Sequence, residues 1–267
     1  MINLIKADFY KIHKSVIYKV LFAIMVLCAV STTLVSHFLG TGDMDIASAS
    51  SAGLLTDVVM LNLVSCIVAG QLVCGDFENK LIQSALTGTS GRFALICSKI
   101  ITYTLLVGVM ALPYALCSVI GWTSGAEFGA PYSASVYLKI LSETATVDFS
   151  AAALLKYIAI TAIMALIYSA QTAFVFMLAF IFKNKALIVT AVGFIVCTFI
   201  GMTSSMFSQN NEAIEKVISW TPFGKEAYTM CNATEPGTML KVLLIAVAYL
   251  AVFTCLTYAT FKKAEIK

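Results

Sequence analysis

The sequence predicts an all-α membrane protein: six transmembrane helices, an amphipathic helix ahead of them, and a short polar helix between the second and third spans. Three observations predict it. Hydrophobic residues make up 60% of the 267 and charged residues 12%, too few charges to cover a soluble domain of this length. The apolar residues gather into six runs, at about 18–39, 54–75, 100–122, 157–182, 186–207 and 242–261, each near the ~20 helical residues that cross a hydrocarbon core. The last four runs hold no Asp, Glu, Lys or Arg, and a charge at the centre of a spanning helix costs about 2.5–3.5 kcal/mol. Backbone groups in lipid must bond within their own segment, so the runs are expected as helices.

Taken in order, the opening stretch "MINLIKADFYKIHKSVIYKV" repeats Ile5, Phe9, Ile12 and Val16 at helical spacing, with Lys6, Lys11, His13 and Lys14 largely elsewhere. This suits an amphipathic helix on a membrane surface, its lysines near anionic headgroups. The run that follows is too long, and its leader too polar, for a cleaved signal peptide. No lipidation motif accompanies it. The second run has Asp57 near its start and carries Asn62 and Gln71. Pro113 interrupts the hydrogen-bond ladder of the third and is expected to kink it. In the fourth, Thr161, Ala165, Ser169 and Ala173 recur every four residues, a small-residue stripe along which another helix can approach. Gln171 lies beside that stripe.

Two loops are long. Residues 123–156 contain "YSASVYLKILSETA", expected as a short surface helix. In 208–240, Ile214, Val217 and Ile218 share a face, and Trp220 and Phe223 flank a proline turn. Aromatics beside an apolar face suit a membrane interface, as a dip into the leaflet or a cap over the spans. With six spans both termini share a side, and that side holds 12 of the 17 basic residues. The positive-inside rule makes it cytoplasmic. The net charge of +3 is thereby explained by topology and points to no nucleic acid.

Catalytic patterns are missing from the sequence. There is no G-x-x-x-x-G-K-[ST], no H-E-x-x-H and no G-x-S-x-G; "FGKEA" at 223–227 lacks the first glycine and the hydroxyl residue. Seven of the eight cysteines lie in or beside spans, with only Cys231 in a long loop. They read as small apolar fillers rather than disulfides or metal ligands. No catalytic residue, metal site or bound cofactor is expected. Asn62, Gln71 and Gln171 are the polar side chains that either line a substrate path or bond neighbouring helices.

The segment "GDFENKLIQSALTGTSGRFALICSK", residues 75–99, is unlike a passive link. Asp76 and Glu78 suit a helix N-terminus, where negative charge meets the positive dipole end. Leu81, Ile82, Ala85 and Leu86 then form one apolar face. Residues 87–91 turn the chain, and Arg92, Phe93 and Lys99 lead into the third span. A short helix with an outward apolar ridge fits a groove on a partner.

This segment resembles the coupling region of type-2 ABC transporter permeases, whose usual form is an acidic residue, a Gly/Asn-x-Ile/Leu helix, a Leu-Ser/Thr step, a Ser/Arg-Arg turn and a closing lysine. The matching positions are Glu78, Asn79 to Ile82, Leu86 with Thr87, Ser90 to Arg92, and Lys99; Gly91 departs from the usual polar residue. An elbow-like "LIKADFYK" before the first span and a terminal "FKKAEIK" agree with the same family. The resemblance implies one permease domain over 1–267, in a bacterial plasma membrane with both termini cytoplasmic. It implies a cytoplasmic ABC ATPase dimer that binds ATP and Mg, and a second permease, the same or similar. Asp76, Phe77, Glu78, Asn79, Leu81, Ile82, Leu86 and Arg92 would couple to that ATPase. The layout looks most like permeases of bacteriocin, lantibiotic or peptide-antibiotic immunity, which export amphipathic peptides. The alternatives are a membrane anchor or sensor partner of an ATPase, and a membrane-embedded lipid-modifying enzyme.

Overall fold

The computed structural model describes residues 2–46, 50–82, 91–129, 135–142, 150–183 and 185–263. Its helices are α1 (Ile2–Lys14), α2 (Val16–Gly40), α3 (Asp57–Glu78), α4 (Arg92–Ser124), α5 (Val136–Ser142), α6 (Ala151–Gln171), α7 (Ala173–Phe182), α8 (Ala186–Asn210), α9 (Glu212–Ile218), α10 (Lys225–Tyr228) and α11 (Pro236–Lys263), with a 3₁₀ turn at Ser50–Leu55. No strand occurs among the described residues. The protein is all-α, and α2, α3, α4, α6, α8 and α11 are each long and apolar enough to cross a membrane.

Two helices form the centre. α3 packs against α4, α7 and α8, and α4 also packs against α1, α2 and α6; α11 lies along α6 and α7. The α3 positions Leu61, Val68, Ala69, Leu72 and Val73 are fully buried, whereas Leu187, Ile195, Phe199 and Met202 on α8 face outward. Outward apolar side chains are what a helix bundle presents to lipid tails. Small residues set the close approaches. A Cβ at Gly70 would stand 2.8 Å from Thr190 Oγ1 and 3.2 Å from the Ala186 carbonyl oxygen, and one at Gly193 would stand 2.6 Å from Val175. The stripe on α6 behaves as expected: Ala165 meets α4 opposite Gly108, and Ser169 and Ala173 are buried.

Two departures from the sequence expectation matter. The fourth run is interrupted: α6 ends at Gln171, Thr172 leaves helical geometry, and α7 resumes at Ala173. Pro113 lies inside α4, which continues through it. The expected surface helix is α5, and it is a core element, with Val136, Tyr137, Leu138, Ile140 and Leu141 all buried.

The molecule has two chemically distinct ends. At the basic end, Arg92 at the start of α4 donates to the Phe261 and Lys262 carbonyls that close α11, at 3.0 and 2.7 Å. There too Lys183 sits over the Phe77 ring. At the far end the connecting segments fold down onto the spans. Tyr114 of α4 donates to the Leu55 carbonyl at 2.5 Å. Lys139 of α5 donates to the Thr229 carbonyl at 3.1 Å, and Lys156 to that of Asn232.

Candidate functional site

Asp8 and Lys11 lie three residues apart on α1, a spacing that puts both on one helix face. That face, with Leu4 and Ile12, is turned onto the bundle. Asp76 comes from the last turn of α3, and Lys99 from near the start of α4. The four form an alternating chain. The Lys99 ammonium donates to Asp8 Oδ1 at 2.5 Å and to Asp76 Oδ2, and Lys11 is paired with Asp76 Oδ1. Lys99 is only 3% exposed, Asp76 4% and Asp8 7%.

Burying ions is costly, and removing one partner of a buried pair destabilises by about 3–5 kcal/mol because the other charge is stranded. The arrangement therefore makes the three elements interdependent. Asp76 also sits at the wrong end of its helix for a carboxylate, since the C-terminus carries the negative dipole end. The two lysines supply the compensating charge. Lys11 is held down to about 8, by burial first and then by repulsion from Lys99, with Asp8 opposing. A cavity of about 80 Å³ adjoins the four and is lined also by Leu4, Leu81, Ile82 and Leu95. Asp8 Oδ2, buried beside it, has no hydrogen-bond partner among the described residues.

The predicted coupling residues fall at this end, with one correction. Asp76, Phe77 and Glu78 do not open a new helix; they are the closing turn of α3. The helix runs on through Cys74 and Gly75 because nothing in the chain breaks it there. It stops at Asn79, whose Nδ2 donates to the Gly75 carbonyl at 2.7 Å, and Lys80 then takes a left-handed φ of 55°. Phe77 packs edge-on against Phe180 and Phe261. Glu78, Asn79 and Leu81 are exposed, and Ile82 is buried. Arg92 is committed to the end of α11. Leu86, with Ala85, lies outside the described residues.

The three amides do not sit together. Asn62 and Gln71 are nine residues apart on α3, hence ~13 Å along its axis. Asn62 is buried and Gln71 half-buried. Gln171, at the break before α7, donates to the Pro222 carbonyl at 2.8 Å and the Tyr228 hydroxyl at 2.6 Å. The 208–240 segment therefore reaches into the bundle as far as that break. Tyr103 on α4 bonds Thr172 at the same level. Asp57 is fully buried, accepting from Ser135 Oγ and, at 2.9 Å, from the Tyr168 hydroxyl. These polar groups fasten the far-end segments to the spans.

Sequence reasoning identified Asp76 but missed Asp8, Lys11 and the burial of Lys99. The available signal was an acid and a base on the otherwise apolar face of α1, three residues apart. Comparison with protein-family models and with characterised proteins finds no match.

Proposed function

We propose that the chain is the membrane permease subunit of an ATP-driven ABC exporter of the type-2 class. In this reading the basic end faces the cytoplasm of a bacterial cell, and ATP and Mg are bound by a separate ATPase dimer. A second permease, the same or similar, completes the pore. The substrate is an amphipathic molecule such as a membrane-active peptide.

The observation that carries the reading is the placement of the motif residues. The segment joining the second and third spans leaves α3 at Asn79, exposes Leu81 (43%) and Phe93 (53%), and is rooted on both sides. Asp76 ties its start to α1 and α4, and Arg92 ties its end to α11. A push on this corner therefore bears on four helices. An exposed apolar side chain on such a corner is what a partner's groove would take up. The substrate class is supported by the spans themselves. Their described interior is apolar, aromatic and amide-bearing, and the buried Asp57 is already engaged by two hydroxyls; apolar walls with few polar groups suit a greasy ligand.

The test is Leu81→Asp. The variant is expected to insert normally, to lose at least about tenfold of its affinity for the co-purifying ATPase (1.4 kcal/mol), and to lose protection of cells against membrane-active peptides. Unchanged ATPase capture and unchanged resistance would overturn the reading.

A further inference from the structure

The ion pairs at the basic end include two residues, buried Asp8 and half-buried Lys11, that belong to no part of the coupling motif. They are on α1, 68 residues before Asp76 in the case of Asp8 by their numbering. Yet Lys99 is shared between Asp8 and Asp76, and Asp76 is shared between Lys99 and Lys11. Each inner charge serves two partners on different helices, so withdrawing α3 strands Lys11, withdrawing α4 strands Asp8, and withdrawing α1 breaks two ion pairs at once. The same four residues line the cavity together with Leu81 and Ile82, which follow α3 by three and four positions.

We propose that the Asp8–Lys99–Asp76–Lys11 chain is a joint that makes α1 and the segment leaving α3 one mechanical body, so that displacement of that segment is passed to α1 and to the base of α2. The proposal rests on the permease reading for the source of the displacement, but not for the existence of the joint. α1 is followed directly by α2, with Ser15 as the single intervening residue. A movement of α1 thus has a short path into the first span. An amphipathic helix resting on the membrane surface by its apolar face alone would slide independently of the spans. One pinned by buried ions would not. Asp8 and Lys11 are positioning residues in this account, since their partners are Lys99 and Asp76 within the chain.

The experiment is amide hydrogen exchange on the full chain in nanodiscs of phosphatidylethanolamine and phosphatidylglycerol. Asp8→Asn removes one charge and leaves the Asp76–Lys99 pair; Lys99→Gln removes the shared cation. Exchange in 2–14 and in 76–82 is expected to rise together in Lys99→Gln, by about tenfold or more, with 151–171 unchanged as the control for folding. In Asp8→Asn the rise is confined to 2–14. Protection of 2–14 left intact in both variants overturns the joint.

The second arm adds MgATP to the complex with its co-purified ATPase. In the parent chain both 2–14 and 76–82 are expected to respond; in Asp8→Asn only 76–82 responds. A full response of 2–14 in Asp8→Asn also overturns the joint. If nucleotide alters neither segment in the parent, the permease reading fails, and the first arm still decides whether the joint exists.

Discussion

Lys11 holds its proton against its surroundings. Burial, together with Lys99, brings its ammonium from the ordinary 10.5 to about 8. Below pH 8 it is charged both folded and unfolded, and above about 10.5 it is neutral in both. Between those values the folded chain has released a proton that the unfolded chain keeps. Stability therefore rises with pH through this window, and the penalty for charging Lys11 is fully present below pH 8. Lys11→Met removes the effect. The difference in unfolding midpoint between parent and Lys11→Met, measured in detergent, is expected to change between pH 8 and 10, with the parent gaining on the variant. A constant difference across that range would contradict the assignment. Residue-scale pairing of this kind was barely legible in the sequence. Asp8 and Lys99 are separated by 91 positions and Asp76 and Lys99 by 23, and periodicity carries no information about which distant charge meets which.

Elements were far more legible than their ends. A run of ~20 apolar residues has one outcome in lipid, so six spans followed from hydropathy. The closing turn of α3 was misread because Asp76 and Glu78 suit an N-terminus intrinsically; at the C-terminus Asp76 is compensated by Lys11 and Lys99, and Glu78 is exposed. The break at Thr172 left no trace, because the apolar pattern continues across it and the signal is a side-chain bond from Tyr103. α5 was misplaced since its polar flanks look like surface loop, while its cover comes from α4 and α2. The helix packing itself is testable at Gly193. A leucine there must displace Val175, and overpacking of this kind costs about 1–3 kcal/mol. Gly193→Leu is expected to lower the unfolding midpoint, whereas Gly201→Leu, where a Cβ meets nothing within 4 Å, leaves it within error. Equal effects at the two glycines would mean that α8 does not pack against α7 as described.

At the scale of the whole molecule, the segregation of charge gives two faces of different character. The basic end gathers Lys11, Lys99, Arg92 and Lys183 through direct contacts. The far end is closed by segments that descend between the spans. The positive-inside rule predicts that the basic end faces the cytoplasm. In a background without native thiols, a membrane-impermeant maleimide applied to intact cells is expected to label Lys216→Cys on α9 and to miss Lys80→Cys until the membrane is permeabilised. The reverse pattern would invert the orientation and remove the proposed ATPase from reach of Leu81.

The interruption at Thr172 divides one membrane crossing into unequal arms. α7 has 10 residues and α6 has 21, lengths of about 15 Å and 32 Å at 1.5 Å per residue. A pivot at that point is a lever with a mechanical advantage below one. A rocking of about 10° that moves the basic tip of α7 by ~3 Å would sweep the opposite tip of α6 through ~5 Å. If the two arms turned as one rigid body, a small stroke at the lysine-rich face would be enlarged at the other. Because Gln171, at the fulcrum, grips the Pro222 carbonyl and the Tyr228 hydroxyl, the descending 208–240 segment is attached where the lever travels least, while Lys156 pulls on Asn232 from the long arm, where it travels most.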